Sequence, residues 1–120
     1  MMLTLLRHGA EVNSVNFEGQ TPLHGACTNG NRKMTQVLLN CGALVDKPDR
    51  QGETALHKAA SNGQTSVIPI LLKRRARIDA LDNLGNTPLH LACLQPSTLV
   101  IEMLLDNGAR VDIWNEVNFL

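Results

Sequence analysis

Apolar pairs mark the chain at a fixed interval. Leu5-Leu6, Leu38-Leu39, Leu71-Leu72 and Leu104-Leu105 stand 33 residues apart. Around the second pair, Met34, Val37, Leu38 and Cys41 fall at spacings of three and four, the period of one face of a helix. A second block keeps the same interval: Thr21-Pro22-Leu23-His24, Thr54-Ala55-Leu56-His57 and Thr87-Pro88-Leu89-His90. Thr before Pro supplies an N-cap and a first helical position, so Thr21 and Thr87 open a helix. Gly30 and Gly63 end it, and Gly9, Gly42 and Gly108 suit a left-handed cap after the second helix of each pair. The next eight residues, 46–53 for example, are polar and rich in turn formers, with Gly19, Gly52 and Gly85 two places before each Thr. The pattern predicts a mainly α chain of helix pairs joined by short β-hairpin turns.

Taken in register, the chain divides into a partial repeat (1–15), three repeats (16–48, 49–81 and 82–114) and the start of another (115–120). Met1 aligns with Met34, inside a second helix, and Phe119 with Asn86, just ahead of a first helix. Asn118 stands where Gly belongs, and neither Leu3 nor Phe119-Leu120 makes a polar cap. The register therefore predicts a piece of a longer array, or ends covered by a partner. Three positions break the pattern. Arg75 replaces the C-cap Gly, where a left-handed backbone costs on the order of 1 kcal/mol. Pro69 falls in a second helix and is tolerated if Ser66 is the N-cap. Pro96 replaces Gly in a helix–helix turn, with Ser97 available to cap the next helix.

These blocks closely resemble the ankyrin repeat, over essentially all of the chain. The resemblance implies a solenoid of antiparallel helix pairs with β-hairpin fingers. It also implies a protein-interaction scaffold whose recognition surface is the finger tips and the exposed side of each first helix.

Composition narrows this little but consistently. Hydrophobic residues make up 43% of the chain and aromatics 2%, so Leu, Val, Ile and Ala must carry the packing. Lys plus Arg equals Asp plus Glu at 11 each, which argues against a general polyanion binder. No apolar run approaches the roughly 20 residues that span a bilayer, and the first residues lack the features of a signal peptide. Cys27, Cys41 and Cys93 are odd in number without CxxC spacing, and Cys27 and Cys93 read as small core side chains in a reducing compartment, cytoplasmic or nuclear.

Candidate chemistry is sparse. His24, His57 and His90 recur every 33 residues, and stacked repeats would hold them roughly 10 Å apart, too far for one metal. The resemblance gives them a structural role in holding the turn. No nucleophile motif, Walker loop or HExxH is present, so a non-enzymatic chain with no cofactor and no metal is expected. Lys73-Arg74-Arg75 with Arg77 is the one charge run. It reads as a solvated helix end, or alternatively as a nucleic-acid or nuclear-import contact.

Mapped by register, the tip positions include Val15, Phe17, Glu18, Pro48, Arg50, Gln51, Leu81, Asn83, Leu84 and Trp114, and the first-helix positions include Thr28, Asn29, Ser61, Asn62, Leu94 and Gln95. Among them Phe17, Arg50, Leu81, Leu84, Leu94 and Trp114 are the candidate partner-binding residues, with Trp114 a hot-spot type. One further partner is suggested by resemblance. Leu5, Glu11, Val12 and Asn13 are similar to the pattern read by the asparaginyl hydroxylase that modifies ankyrin hairpins, and Asn13 takes the place of Asp46, Asp79 and Asp112.

Overall fold

A computed structural model describes residues 11–112, and Trp114, Leu3, Leu5, His8, Gly9, Phe119 and Leu120 lie outside them. The described residues form six helices: α1 (Pro22–Thr28), α2 (Arg32–Asn40), α3 (Ala55–Ser61), α4 (Ile68–Lys73), α5 (Pro88–Ala92) and α6 (Leu99–Asp106). They alternate as first and second helices of successive repeats. First helices pack on one another, α1 on α3 and α3 on α5, and each packs on the second helix of its own repeat.

Each first helix begins the same way for the same reason. Thr21, Thr54 and Thr87 sit in extended backbone, and each hydroxyl accepts the N–H of the His three residues on. The His returns the bond: its Nδ1 accepts the Thr backbone N–H at 2.9, 3.0 and 2.9 Å. This is a capping box in which His does the work more often done by Glu. It satisfies two helix-start N–H groups in all three repeats, including the one where Ala55 replaces Pro.

The core is a ladder of identical positions. Leu23, Leu56 and Leu89 from the first helices, and Leu38, Leu71 and Leu104 from the second, are all buried, with Ala26, Ala59 and Ala92 beside them. Small Ala lets first helices approach closely while the leucines supply most of the apolar area, about 1.5–3 kcal/mol for each fully buried side chain.

The fingers close as tight turns at 16–20, 49–53 and 82–86, each by backbone bonds, Asp49 N to Glu53 O and Gly52 N to Asp49 O for instance, and no strand is assigned among the described residues. The structure corrects several details elsewhere. Cys27 is buried as expected, but Cys93 is exposed, because α5 stops at Ala92 and no described repeat stacks beyond it. Pro69 does lie in the first turn of α4, yet the N-cap is Val67 rather than Ser66, and it makes no side-chain cap bond. Ser66 Oγ instead donates to the carbonyl of Gly30 in the preceding repeat. Before α6 the cap is Thr98, while Ser97 Oγ accepts the N–H of Leu99. Arg75 holds φ at 65°, the left-handed backbone that its place after α4 demands.

Candidate functional site

The surface that could meet a partner is built from the fingers. Asn16, Asp49 and Asp82 open them, and each side-chain oxygen Oδ1 accepts two backbone N–H groups of its own turn, from Gln51 and Glu53 in the case of Asp49. Such a turn fixes which residues point outward. Neighbouring fingers are then tied together: Arg50 N donates to Glu18 O and Asn83 N to Gln51 O, both at 2.9 Å. Asn83 Nδ2 adds a bond of 2.7 Å to Arg50 O. This closeness requires Gly52, whose φ is +79° and where a Cβ would sit 2.8 Å from Asn83 N.

On that frame Phe17 is 93% exposed, Leu94 77%, Leu81 56% and Leu84 51%; Arg50 is exposed as well. Val15, Asn16, Phe17 and Arg50 line an open recess of about 490 Å³ between the first two fingers. Leu81 and Leu84 flank the third finger's Asp82, and Leu94 lies just beyond α5. Five of the six candidate partner-binding residues therefore face solvent, and the sixth, Trp114, lies outside the described residues.

The histidines run through the frame as a relay of backbone bonds. With Nδ1 accepting, Nε2 carries the proton, and it donates to the next repeat: His24 to Glu53 O and His57 to Asn86 O, both 2.8 Å. Burial lowers the pKa of both imidazoles, against the raising effect of those carbonyls. His90 Nε2 is buried without a partner among the described residues. A capping box three residues before each His, a relay between repeats and a 33-residue period together define one repeat type. The family model of ankyrin repeats, in three copies, matches residues 1–82 and 44–115.

The chain belongs to the ankyrin-repeat family. Ankyrin repeats are generally protein–protein interaction modules, and the family is typically non-enzymatic. A curated relative, the Ankyrin repeat and LEM domain-containing protein 1 homolog of Caenorhabditis elegans, is 56% identical over 36 residues, 30% of this chain. The chain matches about 5% of that relative's length.

Within the ankyrin frame the remaining candidates separate. Lys73, Arg74, Arg75 and Arg77 are all exposed, at the end of the second helix α4 rather than at the finger tips. Asn13 bridges to the next repeat, its Nδ2 donating to Gly42 O at 3.2 Å and its Oδ1 accepting Leu44 N at 2.8 Å. Asp46 and Asp79 accept the equivalent N–H groups, of Arg77 and Arg110, but have no proton to donate. Among the described residues no three His, Cys, Asp or Glu side chains gather into a metal-holding cluster, and no helix is long and apolar enough to cross a membrane.

Two features carry no periodic signal in the sequence. Lys58 stands where the other repeats have Gly25 and Leu91, and it pairs with both Asp49 (2.9 Å) and Glu53 (2.8 Å). Burial pulls the Lys58 ammonium down, but the bonds to Glu53 and Asp49 outweigh it and raise the pKa. Burial likewise pushes Asp49 up, while Lys58 and the turn's N–H groups hold it below its ordinary value. Gln95, mapped as a recognition position, donates to the carbonyl of Ser61, as Gln64 does to Thr28. These amides close the ends of neighbouring first helices and are not available as free contacts.

Proposed function

We propose that this ankyrin array is a solenoid scaffold that binds a partner protein through its fingers, acting as β-hairpin equivalents, and the exposed side of its first helices, without catalysis. The observation that carries this is the contrast within each repeat. Positions on the frame repeat residue for residue and are buried, whereas Phe17, Arg50, Leu81, Leu84 and Leu94 differ from repeat to repeat and face solvent. Exposed apolar side chains at positions that vary between repeats suit contact sites, although Leu44, Leu99, Leu105 and Val111 are exposed away from the fingers as well. A cytoplasmic or nuclear setting fits the free thiols Cys27, Cys41 and Cys93. The test is capture from a cell lysate by the chain and by its Leu81→Lys, Leu84→Lys variant. A protein held by the first and lost by the second supports the reading; equal capture by both overturns it.

A nucleic-acid or nuclear-import contact through Lys73, Arg74, Arg75 and Arg77 is the second reading, favoured by the exposure of all four cations. Phosphate binding would show a steep fall of affinity with salt, on the order of one power of ten per tenfold salt for each phosphate neutralised. Asn13 is proposed as a target of an asparaginyl hydroxylase. The bonds from its amide to Gly42 and Leu44 must open for an enzyme to reach it, so an oxygen added to the Asn13 peptide, read by mass spectrometry, is the expected result. An unchanged mass beside a modified control substrate would overturn it.

A further inference from the structure

The second helices present a surface unlike that of the fingers. Between α4 and α6 lies a recess of about 250 Å³ lined by Ile68, Pro69, Leu72, Lys73, Met103 and Asn107. On the other flank of α4 a recess of about 430 Å³ is lined by Gln36, Ile70, Lys73 and Arg74. Lys73 borders both, so α4 is a ridge with a cation on its crest and a channel on each side. The cause is local. Pro69 lacks an N–H and cannot lie deeper than the first turn, so α4 begins at Ile68 and runs six residues, where α2 runs nine. First helices pack tightly along their row, while α2 and α4 touch little and α4 and α6 stand further apart still.

The cations at the end of α4, Lys73, Arg74, Arg75 and Arg77, are exposed and stand without ion-pair partners among the described residues. Among the described residues the Arg74 guanidinium donates to the neutral side-chain oxygen of Asn40. Asp46 and Asp79 take backbone N–H groups, and Asp106, at the Lys73 position of α6, makes no ion pair with it. The other polar residues lining the two channels, Gln36 and Asn107, carry no charge.

We infer that the channel between α4 and α6, with Lys73 on its wall and Arg74 on the other flank of the α4 ridge, is a second protein-binding face that takes an acidic amphipathic helix of a partner. Half-buried Leu72 and Met103 give the channel an apolar wall above the buried Ile68, and Met adapts its shape to its neighbours. At about 1.5 Å per residue the facing helices are roughly 9 and 12 Å long, enough for about two turns of a helix laid over the groove with one side chain entering the recess. The recess lies below the roughly 300–1,000 Å³ of small-molecule sites, which suits a side chain better than a metabolite. No aromatic residue lines it for base stacking, and the chain carries no net charge, both of which disfavour nucleic acid.

The test uses the full chain and a labelled synthetic peptide of Leu and Glu at helical spacing, read by fluorescence anisotropy and amide chemical shifts. The peptide binds, its Gln-for-Glu counterpart binds far more weakly, and the shifts fall on α4 and α6. Lys73→Glu with Arg74→Glu lowers affinity at least about tenfold with an unchanged circular dichroism spectrum, while Lys73→Arg with Arg74→Lys retains it. Met103→Glu lowers it too, and the exposed Lys73 and Arg74 keep the test decisive should that variant fail to fold. Absence of binding, equal binding of the Glu and Gln peptides, shifts confined to the finger tips, or tighter binding of an oligothymidylate through the same cations would each overturn the inference.

Discussion

Arg75 shows how one side chain can oppose the frame that holds it. Its φ of 65° is the backbone taken after the other second helices by Gly42 and Gly108. The Cβ of any L-residue is strained there, and the Arg75 side chain is exposed, with no ion pair among the described residues to offset the strain. Arg75→Gly should therefore raise stability by about 1 kcal/mol, visible as a higher denaturation midpoint. A midpoint unchanged or lowered would show that Arg75 makes a compensating contact. This conflict was legible in the sequence, because a 33-residue register places Arg75 where Gly stands elsewhere. Lys58 was not, since a single Lys among Gly25 and Leu91 carries no periodic signal, and its two carboxylates converge only once the Asp49 turn has folded.

Helix starts are of three kinds, and in one of them the Asn31 side-chain oxygen caps α2 by accepting the N–H of Met34. α1, α3 and α5 begin with the Thr–His box, whereas α4 and α6 begin at Val67 and Thr98 without a side-chain cap bond. Thr54→Ala should cost about 1 kcal/mol, while Thr98→Ala, whose hydroxyl reaches only the exposed Glu102 at 3.2 Å, should cost much less. Denaturant titration of both variants decides this, and equal losses would contradict it. The first-helix starts were readable from Thr before Pro and the turn-holding role of His from the resemblance, but the capping box itself and the late start of α4 were not. The first depends on which ring nitrogen reaches back to backbone. The second depends on which of several turn residues, Thr65, Ser66 or Val67, becomes the cap when Pro69 must stay in the first turn.

Stacking makes the repeats interdependent through buried imidazoles. His24 and His57 are neutral in the fold, with pKa values lowered from 6.5 chiefly by burial. The groups facing them are Asp49 and Lys58 around His24, and Asp82 and Glu53 around His57. Below pH 6.5 the unfolded chain binds protons that the folded chain refuses, so their stability is complete above that pH and is lost as pH falls toward the folded values. Asp49, lowered from 3.8, acts only in more acid solution. Melting temperature should fall between pH 7 and pH 5 and fall less in a His57→Gln variant; a flat profile over that interval would contradict the relay. The repeat architecture was legible because most frame positions recur, and the proposed contact surface only as exposed positions that do not. The channel beside α4 could not be read at all, since it arises from the spacing between helices rather than from any one residue. Above all, the proposed function requires that frame and surface be separable in this molecule. The direct measurement is titration calorimetry of the captured partner against Ala variants of Phe17, Arg50, Leu81, Leu84, Leu94 and Trp114, with the denaturation midpoint of each taken alongside. At least one of the six should lower affinity by about 2 kcal/mol or more while its stability stays within about 0.5 kcal/mol of the parent. Affinity untouched by all six, or lost only in step with stability, would contradict that separation.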